Sequence, residues 1–136
     1  MTDQDFLRRA VEVGNTVSEP YNFGAVIVKD GEIIAEDTNH VHELTDPTAH
    51  AETSAIKAAC QKLGTYNLEG CIMYGSHEPC LMCFSCAAWA RMDRVVYAQA
   101  ATDTNFTYEF DLTLAEIAAK QTSRNRVKVE YIPLTA

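Results

Sequence analysis

The chain has 136 residues, 47% of them hydrophobic, enough for one domain around one core and too few for two. A formal net charge of -8 speaks against a broad basic surface, so a nucleic-acid partner held by its phosphates is disfavoured and a small-molecule partner is expected. The opening MTDQDFLRRAVEVGNTV is acidic at once and has no unbroken apolar run, so neither a secretory signal nor a membrane span is expected, and the expected location is the cytoplasm.

Phe6, Ala10, Val13 and Val17 recur at helical spacing and predict an opening amphipathic helix, ended by the region of Pro20, Asn22 and Gly24. FGAVIVKDGEIIAED then reads as two short strands, residues 24–29 and 32–36. Asp30-Gly31 joins them as a tight hairpin turn, because glycine tolerates positive φ. A polar segment over 37–48 leads to a helix over 49–63, with start signals in Asp46, Pro47 and Thr48 and a stop at Gly64. Ala55, Ile56, Ala59, Cys60 and Leu63 form its inner face. Residues 71–76 make a short apolar strand, and Pro79 opens a helix to about residue 92. That helix, CLMCFSCAAWARM, is apolar nearly all round, as a helix buried between sheet and partner is.

A strand over 94–98 precedes a loop rich in Thr, Asn and aromatic residues. The tail gives a helix over 112–120 and an alternating strand over 126–132, in which Val127, Val129 and Tyr131 share one face. The order α, β, β, α, β, α, β, α, β predicts an α/β fold: one domain over residues 1–136, built as a three-layer α/β/α sandwich with a central five-stranded mixed sheet.

Five cysteines, Cys60, Cys71, Cys80, Cys83 and Cys86, read as metal or redox chemistry in a reducing compartment and not as a disulfide frame. Cys60 and Cys71 are expected to be small buried hydrophobes. Cys80 and Cys83 sit three apart in the first turn of a helix, where side chains are neighbours and backbone N–H groups favour the metal-binding thiolate.

His50 can supply a third ligand if its helix points its N-terminal end at the metal. His50 and Glu52, two residues apart, then both reach the pocket at the helix mouth, with Glu52 outside the ligand set. One imidazole and two thiolates suit Zn²⁺, one ion per chain, with the open fourth position of a catalytic site. The competing reading is an iron–sulfur or structural zinc module, since Cys80, Cys83 and Cys86 spell CxxCxxC. On a continuous helix Cys86 rotates away from Cys80, and no fourth cysteine follows it.

His50-Ala51-Glu52 followed by Pro79-Cys80-Leu81-Met82-Cys83 resembles the HxE…PCxxC signature of zinc-dependent deaminases. With FGAVIVKDG, Asn39, DPTAHAE, EPCLMC and Trp89-Ala90-Arg91, the stretch from about Phe6 to Asp111 is similar to the cytidine deaminase-like superfamily. Within it the chain most resembles bacterial guanine deaminases and, less closely, tRNA adenosine deaminases.

The resemblance implies a zinc-dependent hydrolase in which Glu52 carries a proton to the ring nitrogen and then to the departing amine. It implies that Asn39 and the backbone N–H of Ala51 bind the base, that Phe23 and Trp89 wall the ring, and that Asp111 is an acidic contact to guanine. The expected reaction is guanine to xanthine plus ammonia, in a homodimer or larger assembly. A tRNA adenosine, cytosine or another amino-heterocycle is the alternative. The tRNA reading is set behind because ATDTNFTYEFDL offers no basic side chain before Lys120. Guanine deaminases resembling this chain carry a further C-terminal helix and tail that are not expected here, which leaves a related amino-purine, pterin or triazine-like ring open. His40 and His42 read as loop residues, His77 as a rim or supporting residue, and Cys86 has no assigned role.

Overall fold

Asp30 and Gly31 take positive φ, 51° and 78°, and turn β1 (Gly24–Lys29) back onto β2 (Glu32–Thr38), as the dipeptide predicts. The computed structural model describes residues 1–101 and 109–135. β3 (Cys71–Gly75) pairs antiparallel with the other edge of β1, and β4 (Arg94–Tyr97) and β5 (Lys128–Tyr131) continue the sheet in parallel. The order across the sheet is β2-β1-β3-β4-β5. This is the expected α/β architecture with a five-stranded mixed sheet.

Strand alternation sorts the core into two layers. Val26, Val28, Tyr74 and Val96 face α1 (Asp3–Gly14), which contributes Phe6, Leu7, Ala10 and Val13. Ala25, Ile27, Met73 and Val95 face the other way, against α3 (Ala51–Leu63) and α4 (Leu81–Trp89). Because β1 is buried on both faces, GAVIVK is an unbroken apolar run up to its final lysine. α5 (Leu114–Ala119) closes the same side through Leu114 and begins with a capping box, Thr113 with Glu116.

The end of α1 meets the start of β1 at van der Waals limits. A Cβ on Gly24 would lie 2.1 Å from the Ala10 carbonyl oxygen, and one on Gly14 would lie 2.7 Å from that of Asn22. Two glycines therefore let α1 press on the segment that carries Phe23.

Several boundaries differ from expectation. The polar segment holds a short helix, α2 (Val41–Leu44), with His40 at its N-cap position, and Asn39 Oδ1 leads into it by accepting the Val41 N–H at 2.9 Å. α3 starts at Ala51, with His50 as its N-cap in extended conformation. α4 is shorter than expected: Cys80 is its N-cap, so only Cys83 lies in its first turn. Residues 102–108, most of the expected Thr-, Asn- and aromatic-rich loop, lie outside the described residues. Among the described residues no helix is long and apolar enough to cross a membrane.

Candidate active site

α3 and α4 bring their N-termini to one point. Nδ1 of His50 lies 3.6 Å from Sγ of Cys80 and 3.4 Å from Sγ of Cys83. Tetrahedral zinc, bonded at about 2.1 Å to nitrogen and about 2.3 Å to sulfur, needs nitrogen and sulfur about 3.5 Å apart. The residues therefore fit the ion. Among the described residues no fourth His, Cys, Asp or Glu joins this group, so these residues offer three ligands.

The first-turn N–H groups of α3 are divided between the ligands and the acid beside them. The Thr53 N–H lowers the Cys83 pKa and the Glu52 N–H that of its own carboxyl group, each against the effect of burial. Ala51, fully buried, has no acceptor for its N–H among the described residues.

Electrostatics follow from this crowding. Cys80 is held down at about 4 by the hydrogen bond from Cys83 and further by the His50 ring. Cys83 is pushed up by its hydrogen bond to Cys80 and by burial, so the first proton leaves Cys80. The Cys80 sulfur in turn raises His50. Glu52, 9% exposed, is pushed up to about 7 by burial. A carboxyl group that titrates near neutrality, next to a metal site it does not ligate, can both give and take a proton.

Glu52 and His50 open onto a cleft of about 900 Å³, also lined by Phe23, Asn39, Ala51 and His77. A family model described as the cytidine and deoxycytidylate deaminase zinc-binding region matches residues 1–99. The chain belongs to this family. Guanine deaminase of Bacillus subtilis (strain 168) is 51% identical over 106 residues, 76% of this chain and 68% of the relative. The tRNA-specific adenosine deaminase of Aquifex aeolicus (strain VF5) is 45% identical over 111 residues, 82% of this chain and 71% of the relative. Among solved structures, the Bacillus subtilis guanine deaminase has a TM-score of 0.74 at 42% identity, covering 100% of this chain and 85% of that one. A chain from work on A-to-I editing by tRNA:A34 deaminases has a TM-score of 0.80 at 30% identity, covering 93% and 91%. A zinc-dependent hydrolytic deaminase is the shared description.

In this deaminase domain the cleft gathers Phe23, Asn39, His50, Ala51, Glu52, His77 and Cys80 of the residues singled out from sequence, while Cys83 is buried and not among its lining residues. Trp89 and Asp111 are not among its lining residues. Trp89 ends α4, nine residues from Cys80, and nine helical residues span about 13 Å. With the helix N-terminus at the metal, its C-terminus must point away. Trp89 is 75% exposed and borders a second depression with Arg91 and Arg124, apart from the lining of the cleft within one chain. Asp111 is exposed, two residues before the Thr113 cap of α5.

The cleft also uses residues that sequence reasoning passed over. Glu19, Tyr21, Val41, Glu78 and Gln99 line it, and they come from turns and loops whose paths no periodicity reveals. His77, read from sequence as a rim or supporting residue, lines the cleft.

Proposed function

We propose that the protein hydrolytically deaminates a free nucleobase-like ring, with guanine, giving xanthine and ammonia, as the preferred substrate. The observation that carries this reading is the composition of the cleft. Among the described residues that line it none is Lys or Arg, whereas Glu19, Glu52 and Glu78 are acidic. RNA brings a phosphate with every nucleotide and is held by cations, so this lining works against it. A neutral base meets no such penalty. The undescribed residues 102–108 contain no Lys or Arg either.

Zinc held by His50, Cys80 and Cys83 would supply the nucleophile, since it lowers the pKa of a coordinated water to about 7. Glu52 moves the protons. Its carboxylate would take up the protons that the attacking water loses and pass one to the ring nitrogen and one to the departing amine, so that the C–N bond breaks and a keto ring and ammonia remain. The Ala51 N–H, without a protein acceptor, is offered to the ring. Asn39, whose Oδ1 is taken by the Val41 N–H, offers its amide nitrogen. Phe23 supplies an apolar wall. Assembly as a homodimer in the cytoplasm belongs to the same proposal, with the exposed Trp89 assigned to contact between copies and not to the ring.

A second reading, deamination of adenosine in tRNA, is favoured by the Aquifex relative and by the fold shared with the tRNA:A34 deaminases. Incubating the zinc-loaded protein with guanine, adenine, cytosine and an anticodon stem-loop RNA separates the two by ammonia release. Release from guanine supports the free-base reading. Release from the RNA alone transfers the function to tRNA.

A further inference from the structure

Ser76, 1% exposed just past β3, holds two groups with one oxygen. Its Oγ accepts the Gly24 N–H at 3.0 Å and lies 2.7 Å from Nδ1 of His77. Among the described residues these are the hydroxyl's only hydrogen-bond partners. The Gly24 N–H is a donor, so the hydroxyl's own proton has one place to go, Nδ1 of His77. With Nδ1 as acceptor, the single proton of a neutral imidazole sits on Nε2. Burial holds the His77 pKa below the usual histidine range, so the neutral ring prevails at pH 7.

The ring is also fixed in orientation. Phe23 meets it edge-on, with centroids 4.6 Å apart and planes at 70°. His77 lines the same cleft as Asn39 and Glu52, and Nε2 has no protein partner among the described residues.

We propose that His77 is a specificity-determining residue, whose Nε2–H, locked by the buried Ser76 hydroxyl, selects rings that turn a carbonyl oxygen or an unprotonated ring nitrogen toward it. This rests on the deaminase reading of the cleft. Together with the Asn39 amide nitrogen and the Ala51 N–H, His77 makes the cleft rich in donors. An amino group facing Nε2–H sets donor against donor. The substrate class is therefore an oxo-substituted amino-heterocycle such as guanine, preferred over rings in which an amino group replaces the oxo group, such as 2,6-diaminopurine.

The test combines a spectroscopic and a kinetic arm on the zinc-loaded protein. ¹⁵N NMR of the histidine-labelled chain should show His77 protonated on Nε2 and bare on Nδ1, and Ser76→Ala should release the ring into a tautomer mixture. In kinetics, His77→Phe should lower kcat/KM for guanine by about tenfold or more, mainly through KM, and erase the preference over 2,6-diaminopurine. His77→Gln, which keeps a donor, should retain that preference. An Nδ1–H tautomer in the native protein, or both variants within twofold of it on guanine, would overturn the assignment. Should the native protein release ammonia from no ring at all, the deaminase reading fails separately. The Nε2 resonance, recorded with and without guanine, then decides alone: a shift on binding upholds His77 as a contact, and no shift removes it.

Discussion

Nδ1 of His50 lies 3.4 Å from Sγ of Cys83 across 33 residues of sequence, so the metal site exists only when α3 and α4 are docked on the same face of the sheet. Binding of zinc is therefore coupled to folding. Chelation should lower the thermal midpoint by several degrees. Cys83→Ala should lose the ion and melt where the chelated native protein melts. Metal analysis showing one zinc per chain in Cys83→Ala would remove Cys83 from the ligand set.

Gly24 is where α1 touches the strand leading from the cleft. Since a Cβ there would lie 2.1 Å from a backbone oxygen that cannot swing aside, Gly24→Ala should cost about 3 kcal/mol or more in urea unfolding. Gly31→Ala is the control. Nothing lies within 4 Å of its Cβ position, and only its φ of 78° opposes a side chain, so about 1 kcal/mol is expected. Equal losses at the two sites would contradict the close approach.

How much of this could be read from the chain depended on whether a local signal existed. Asp30-Gly31 states its turn in two residues, and the apolar runs on either side of it mark β1 and β2 as strands. His50, Glu52, Cys80 and Cys83 were legible because their chemistry is specific to their spacing. α2 was not, since four residues inside a polar segment have no period to show, and the Asn39 bond leading into it is a side-chain contact. Trp89 is a different case. α4 is apolar on nearly every side, so its pattern did not tell which end or face meets the cleft, and only the position of its N-terminus settles that.

Arg94 joins the first helix to the last strand. It donates to Glu130 at 2.7 Å and to Asp3 at 3.1 Å, and Tyr74 donates its hydroxyl to the same Asp3. The Arg94 hydrogen bond, then that of Tyr74, lowers the Asp3 pKa, and Arg94 lowers that of Glu130. Depressed carboxylate values mean stability that is fully present above the unfolded pKa of about 4 and lost as pH falls through the lower folded values. Arg94→Met should therefore destabilise the protein by about 1 kcal/mol at pH 7 and flatten the loss of stability between pH 5 and 3. Urea unfolding across that range checks it, and an unchanged acid slope would contradict it.

Trp89 exposes three-quarters of its surface beside Arg91 and Arg124. An exposed indole next to guanidinium groups suits the centre of a contact between copies. Sedimentation should give a dimer or larger assembly for the native chain and a shift toward monomer for Trp89→Ala. A native monomer, or no shift in the variant, would leave the indole without that role.

Glu52 is the test of the whole proposal, because the proposed reaction assigns all proton transfer to this one buried acid beside the candidate metal site. Glu52→Gln keeps the shape and removes the proton carrier. The single most direct measurement is ammonia release by this variant, with its zinc content determined on the same sample. Turnover lost by about 10³-fold or more with one zinc per chain retained is the predicted result. Turnover preserved in the zinc-loaded variant would contradict the account at its centre.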